Sequence, residues 1–201
     1  MRRLVTALSA VRLIPHVLVL GRAPNRAAIE ADLHRWHRDR PGTLRGPGLV
    51  WRFAETMTFH REFRSLFYYR VKEFSYTGSM LLRPLCRPLS SLYIRANHIG
   101  PGLFIQHGYS TGITAERLGR DCWINQQVTI GFAGDEGEPV LGDRVQVGVG
   151  ARVLGGITIG DDAIVGANAV VVKDVPANCV VAGVPARIIR RDGVRVDEAL
   201  V

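Results

Sequence analysis

Aliphatic residues recur every six positions along the second half of the chain. Leu118, Ile124 and Ile130 open three blocks of six, and Leu141, Val147, Val153, Ile159, Val165 and Val171 open six more. The residue four places on is small or β-branched at Val128, Val145, Ala151, Ala163, Ala169 and Val175. A glycine follows the aliphatic at Gly119, Gly131, Gly142, Gly148, Gly160 and Gly166. Helices repeat at about 3.6 residues and strands at about 2, so neither uses this period. A parallel β-helix does. Three short faces of six residues close one triangular coil, and each inward aliphatic stacks on its counterpart in the next coil. Glycine, Asn and Asp supply the corner conformations that β-branched residues refuse. Ile99 and Ile105 are also six apart, so the solenoid starts near residue 92. The phase slips by one residue between Thr111 and Leu118. Ile130 and Leu141 are eleven apart, which expels a loop at 132–139. Insertions in a solenoid commonly build a binding face.

The first half follows the helical period. Residues 25–40 read as a helix capped by Asn25, with Ile29, Leu33 and Trp36 on one stripe. Pro41-Gly42 ends it, and 42–48 is a turn-rich loop. One further helix is expected over 50–76, with Phe59, Phe63, Phe67, Val71 and Phe74 facing the core and arginines facing water. Residues 1–20 are apolar but interrupted by Arg12, Pro15 and His16, too short and broken for a membrane span. They lack a small-residue cleavage site. Two readings stay open: a helix packed on its own domain, or an interfacial segment with arginines at lipid headgroups. The expected organisation is mainly β: a helical domain at 1–91, a β-helix at 92–178, and an extended cap and tail at 179–201.

Charge separates the same two halves. Of the net +8, residues 1–98 carry +11 and residues 99–201 carry −3. The basic half suits an anionic lipid or glycan surface, or simply a solvated arginine-rich face. No nucleic-acid module accompanies the charge. Cys86, Cys122 and Cys179 are widely spaced and form neither a disulfide framework nor a zinc site. A cytoplasmic protein is expected, with peripheral contact at the inner membrane face as an open addition.

Five segments carry a resemblance: IGPGLFIQHGYSTGI, CWINQQVTIG, VGVGARVLGGITIG, VGANAVVVKDVP and AGVPARII. With the phased sixes, they resemble the hexapeptide-repeat acyltransferases, and residues 99–190 resemble the serine acetyltransferase group. Upstream, EFRSLFYYR resembles a branch associated with capsule or exopolysaccharide synthesis. The resemblance implies a left-handed parallel β-helix that assembles as a homotrimer, with pairing of trimers left open. It also implies acetyl-coenzyme A, or another acyl-coenzyme A, in the grooves between prisms. Segments similar to family cofactor contacts are Gly148-Val149, Ala167, Val172-Lys173, Arg187 and Arg190. Lys173 suits a phosphate as a point charge, while Gly148 and Ala167 equally satisfy the repeat.

The resemblance assigns His107 as catalytic base. The residues agree: of the repeat-region histidines, His98 and His107, the second stands two places after inward Ile105. Small residues follow it. Acyl transfer to an alcohol needs such a base, and imidazole suits neutral pH. Cys122 has no activating cationic surroundings in sequence. Three positions depart from the family pattern. Gln106 stands where an acidic residue precedes the histidine, Leu92 where an aspartate orients it, and Glu138 where a second histidine precedes Pro139. Gln106 and Glu138 are therefore the candidate acceptor contacts, and Glu116 or Asp121 the candidate orienting carboxylates. These departures direct the reading toward a sugar hydroxyl in glycan biosynthesis. Serine O-acetyltransferase and a non-enzymatic scaffold are the alternatives. No metal is expected, because two repeat-region histidines make a poor ligand set.

Overall fold

In the computed structural model, which describes residues 1–39, 48–134 and 137–200, the six-residue period becomes three parallel columns of aliphatic side chains. Five coils build them. The first holds β1 (Leu92–Ile99) and β2 (Phe104–Ile105); the second holds β3 (Thr111–Leu118) and β4 (Trp123–Ile124). The third holds β5 (Thr129–Gly131), β6 (Val140–Leu141) and β7 (Gln146–Val147). The fourth holds β8 (Arg152–Leu154), β9 (Thr158–Ile159) and β10 (Ile164–Val165). The fifth holds β11 (Val170–Val171), a single bridge at Val175 and β12 (Cys179–Ala182).

One column is Ile105, Ile124, Val147, Val165 and Val181. A second is Ile94, Ile113, Ile130, Val153 and Val171. The third is Ile99, Leu118, Leu141, Ile159 and Val175. Apart from Ile94 in the terminal coil, each is at most 2% exposed. The column is thus the core, and burial of each aliphatic contributes about 1.5–3 kcal/mol relative to exposure. The phase slip has a simple origin: Ile113 to Leu118 takes five residues, because β1 and β3 run unbroken through one corner.

The chain beyond Arg190 continues as paired strand. β13 (Arg187–Arg191) and β14 (Val194–Ala199) add antiparallel to β12. Arg187 and Asp197 pair at 2.7 Å, and Arg191 and Glu198 at 2.5 Å. The hairpin occupies what would otherwise be an open sheet edge.

Met1–Leu89 forms one compact unit and Ser90–Val201 another. The first unit holds α1 (Arg2–Arg22), α2 (Arg26–Asp39), α3 (Leu49–Phe59), α4 (Arg61–Lys72) and α5 (Tyr76–Leu82). The expected loop at 42–48 lies almost wholly outside the described residues. The single helix expected over 50–76 is two, broken at extended His60 (φ −121°, ψ 100°). Phe59 and Phe74 fall outside the core that Phe53, Met57, Phe63 and Phe67 form.

Two arginines assigned to water are buried. Arg64 caps the end of α3 by donating to the Met57 and Thr58 carbonyls, and Arg70 forks onto Asp32 at 2.9 and 3.3 Å. Asn25 does not cap α2 with its side chain; its amide donates to the Arg70 carbonyl and to Glu73 on α4. Residues 2–22 form one helix despite Pro15, long and apolar enough to cross a membrane by length and composition, against the broken segment expected.

Candidate functional site

The corner that carries His107 is unlike any other in the solenoid. Along this edge, Ser110, Gln127, Gly150 and Asn168 occupy equivalent left-handed positions, with φ of 52°, 59°, 72° and 57°. Backbone bonds from Gln127 N to Tyr109 O, Gly150 N to Gln126 O and Asn168 N to Val149 O fix that equivalence at 2.8–3.1 Å. His107 (φ 65°) and Gly108 (φ 59°) are additional left-handed residues with no counterpart in later coils. Ile105 and Ile113 are eight apart where Ile124 and Ile130 are six, so two residues are inserted here. Left-handed residues are common at the corners, but coil stacking does not call for two additional ones at this corner alone. The inserted corner projects His107 outward and exposed, with the Tyr109 ring 6.5 Å away.

Two places after each inward residue of the first column stand His107, Gln126, Val149, Ala167 and Gly183. They share one edge of the prism, spaced about 4.8 Å per coil. Val149 and Ala167 therefore extend the His107 edge. Gly148 precedes Val149 there, but its N–H donates to the Val165 carbonyl at 2.8 Å. A Cβ on Gly148 would sit 2.7 Å from Ala167 N, so coil stacking alone demands glycine. Val172, Lys173 and Arg187 converge on a cavity of about 190 Å³ completed by Pro185, Ala186, Ala199 and Leu200. Arg190 does not line it. Arg187 already pairs with Asp197, leaving Lys173 as the cation of this cavity best suited to a phosphate.

Gln106 adjoins His107 and is half-buried. Glu138 is elsewhere. It precedes β6 on the next edge, beside Pro139, whose carbonyl accepts from Glu116 N at 3.0 Å. Its Oε2 is buried without a hydrogen-bond partner among the described residues. Neither proposed orienting carboxylate reaches the His107 edge. Glu116 lies on the Glu138 edge, bound to Asn97 at 2.6 Å, and Asp121 turns the third edge. In a triangular coil, residues close in sequence are dealt to different edges, which defeats a nearest-neighbour guess. His98 is an exposed strand residue opposite Arg117. Cys122 is buried and points its thiol at the Gly142 and Gly119 carbonyls, at 3.3 and 3.5 Å. Among the described residues, no three His, Cys, Asp or Glu side chains gather as a metal-binding set.

Gln126 was not singled out by sequence reasoning. It lies on the same edge as His107, one coil on and in register with Tyr109, and its Oε1 is buried without a hydrogen-bond partner among the described residues. Alignment of Ile124 on Ile105 was the available signal.

Residues 138–173 match the family model for the bacterial transferase hexapeptide (six repeats). The chain belongs to the hexapeptide-repeat family. This hexapeptide-repeat protein is 39% identical over 153 residues to a serine acetyltransferase of Synechococcus elongatus, covering 71% of this chain and 63% of the relative. It is 51% identical over 96 residues to a serine acetyltransferase of Mycobacterium tuberculosis, covering 45% and 42%. Among solved structures, the serine acetyltransferase of Brucella abortus superposes with a TM-score of 0.68 at 25% identity, covering 93% of this chain and 75% of that one. The soybean enzyme complexed with serine superposes at 0.66 and 28%, covering 82% and 69%. The hexapeptide-repeat chain thus spans less than two thirds of the length of these curated relatives.

Proposed function

We propose that the chain is an acetyl-coenzyme A dependent O-acetyltransferase whose acceptor is the hydroxyl of serine. One observation carries the reading: a two-residue insertion lifts His107 out of the coil onto the edge that Val149 and Ala167 share. His107 takes the hydroxyl proton as that oxygen bonds to the thioester carbonyl carbon. The carbonyl electron pair moves to oxygen and returns as the carbon–sulfur bond breaks. The imidazolium then gives its proton to the departing thiolate. No acyl-enzyme is needed, in keeping with the buried Cys122.

Lys173 supplies positive charge for a coenzyme phosphate, and the cavity beside it gives the coenzyme a place to seat. The His107 edge is open to water in a single chain. Threefold packing of prisms would close it, so a homotrimer is part of the proposal.

Serine replaces the sugar hydroxyl first expected from Gln106, Leu92 and Glu138. Relatives named serine acetyltransferase support it, and none of those cited is named for glycan synthesis. The unpartnered Glu138 Oε2 offers an acceptor suited to an amino acid's ammonium. The test is thiol release from acetyl-coenzyme A by the purified chain, with serine or with hexoses. Serine-dependent release supports the proposal. Release with a hexose and not with serine returns the acceptor to a sugar. No release, together with no heat of coenzyme binding, leaves a scaffold.

A further inference from the structure

Helix α1 turns uncharged polar residues inward together with two leucines. Its buried stripe is Thr6, Ser9, Leu13, His16 and Leu20. Thr6 Oγ1 donates to the Arg2 carbonyl at 3.0 Å, and His16 Nε2 meets the Tyr68 hydroxyl at 2.9 Å. The opposite side is apolar: Leu4, Leu8, Val11, Ile14 and Leu18 are 64, 72, 73, 54 and 51% exposed. At 3.6 residues per turn these five fall within an arc of about 120°. Arg3 and Arg12 flank the arc on either side, and Arg22 ends it. No acidic residue interrupts α1. A soluble helix buries its apolar arc; this helix leaves its widest apolar arc exposed.

We propose that α1 docks the protein flat on an anionic lipid bilayer. The leucine-rich arc enters the boundary between headgroups and acyl chains, while Arg3, Arg12 and Arg22 meet lipid phosphates. Charge selects this occupant over a second copy of the helix. Two such faces brought together would juxtapose their own arginines, in a half of the chain that carries +11. The helix lies on the bilayer rather than crossing it. The His16–Tyr68 bond and fully buried Leu13 hold its inner stripe against the other helices, and a crossing helix would surrender both. The proposal stands whether or not the solenoid acetylates serine.

The test is flotation of the full chain with phosphatidylcholine vesicles, with and without phosphatidylglycerol, at low and high salt. The protein should float with the anionic vesicles and be released by salt. Val11→Asp should lower the bound-to-free ratio by about tenfold or more without changing the melting temperature, because Val11 is solvent-facing. The double variant Arg3→Glu, Arg12→Glu should abolish the preference for anionic lipid. Absence of flotation would overturn the proposal, as would flotation indifferent to Val11→Asp. A wild type that stays in solution, with Val11→Asp reducing its mass by light scattering, would assign the face to a second copy instead.

Discussion

His107 and Glu138 stand on different edges of one triangular solenoid. His107 turns between β2 and β3, whereas Glu138 enters β6 next to the Pro139 carbonyl that holds Glu116 N at 3.0 Å. A single prism cannot aim both at one acceptor. If both serve the same reaction, one copy supplies the base and its neighbour the carboxylate. His107→Asn and Glu138→Ala chains, each purified with low activity, should therefore regain part of it when unfolded together and refolded as mixed oligomers. Activity no greater than the average of the two parents would place Glu138 outside the acetyl-transfer site.

His107→Asn is a sharper probe than alanine. Asparagine accepts left-handed backbone at lower cost than most residues, so it keeps the corner at φ 65° while removing the base. Turnover should fall by about 10²–10⁴-fold, with the melting temperature unchanged. A rate within a few-fold of wild type would remove His107 from the chemistry.

The solenoid was legible because its core is one-dimensional: Val147, Val153, Ile159, Val165 and Val171 need only stack on what lies six residues per face away. The lengthened corner at His107 was not read, because its eight residues count as such only once Ile113 is placed in its column. What did not show was which edge each polar residue joins. Edge membership follows from coil register, so Gln126 was missed while Glu116 and Asp121 were placed beside His107 by sequence proximity. In the helical unit, the even spacing of Phe59, Phe63 and Phe67 suggested one stripe. The chain instead breaks at extended His60. The buried fork between Arg70 and Asp32 joins residues 38 apart, a pairing no local pattern announces.

Two glycines of the repeat separate stacking from open space. A Cβ at Gly148 would meet Ala167 N at 2.7 Å and the Val165 carbonyl oxygen at 2.9 Å, both backbone atoms that cannot yield alone. At Gly131 it would meet nothing within 4 Å. Gly148→Ala should cost about 1–3 kcal/mol, read as an earlier denaturant midpoint, while Gly131→Ala leaves it almost unmoved. Equal midpoints would mean the coils are not stacked as closely as these distances require.

His16 should make the helical unit sensitive to mild acid. Burial lowers its pKa from 6.5 to about 4, opposed by the Leu82 and Arg12 carbonyls and assisted by the Arg12 and Arg64 charges. The unfolded chain therefore binds a proton near pH 6.5 that the folded chain refuses until about pH 4. Between those values the unfolded state holds more protons, so stability falls as pH falls and is level, for this group, on either side. The full loss is about 3 kcal/mol. His16→Gln has no such titration. Subtracting its unfolding free energy from that of the wild type should leave a sigmoid running between pH 6.5 and about 4. A flat difference across that window would mean that His16 is protonated as readily in the folded chain as in water.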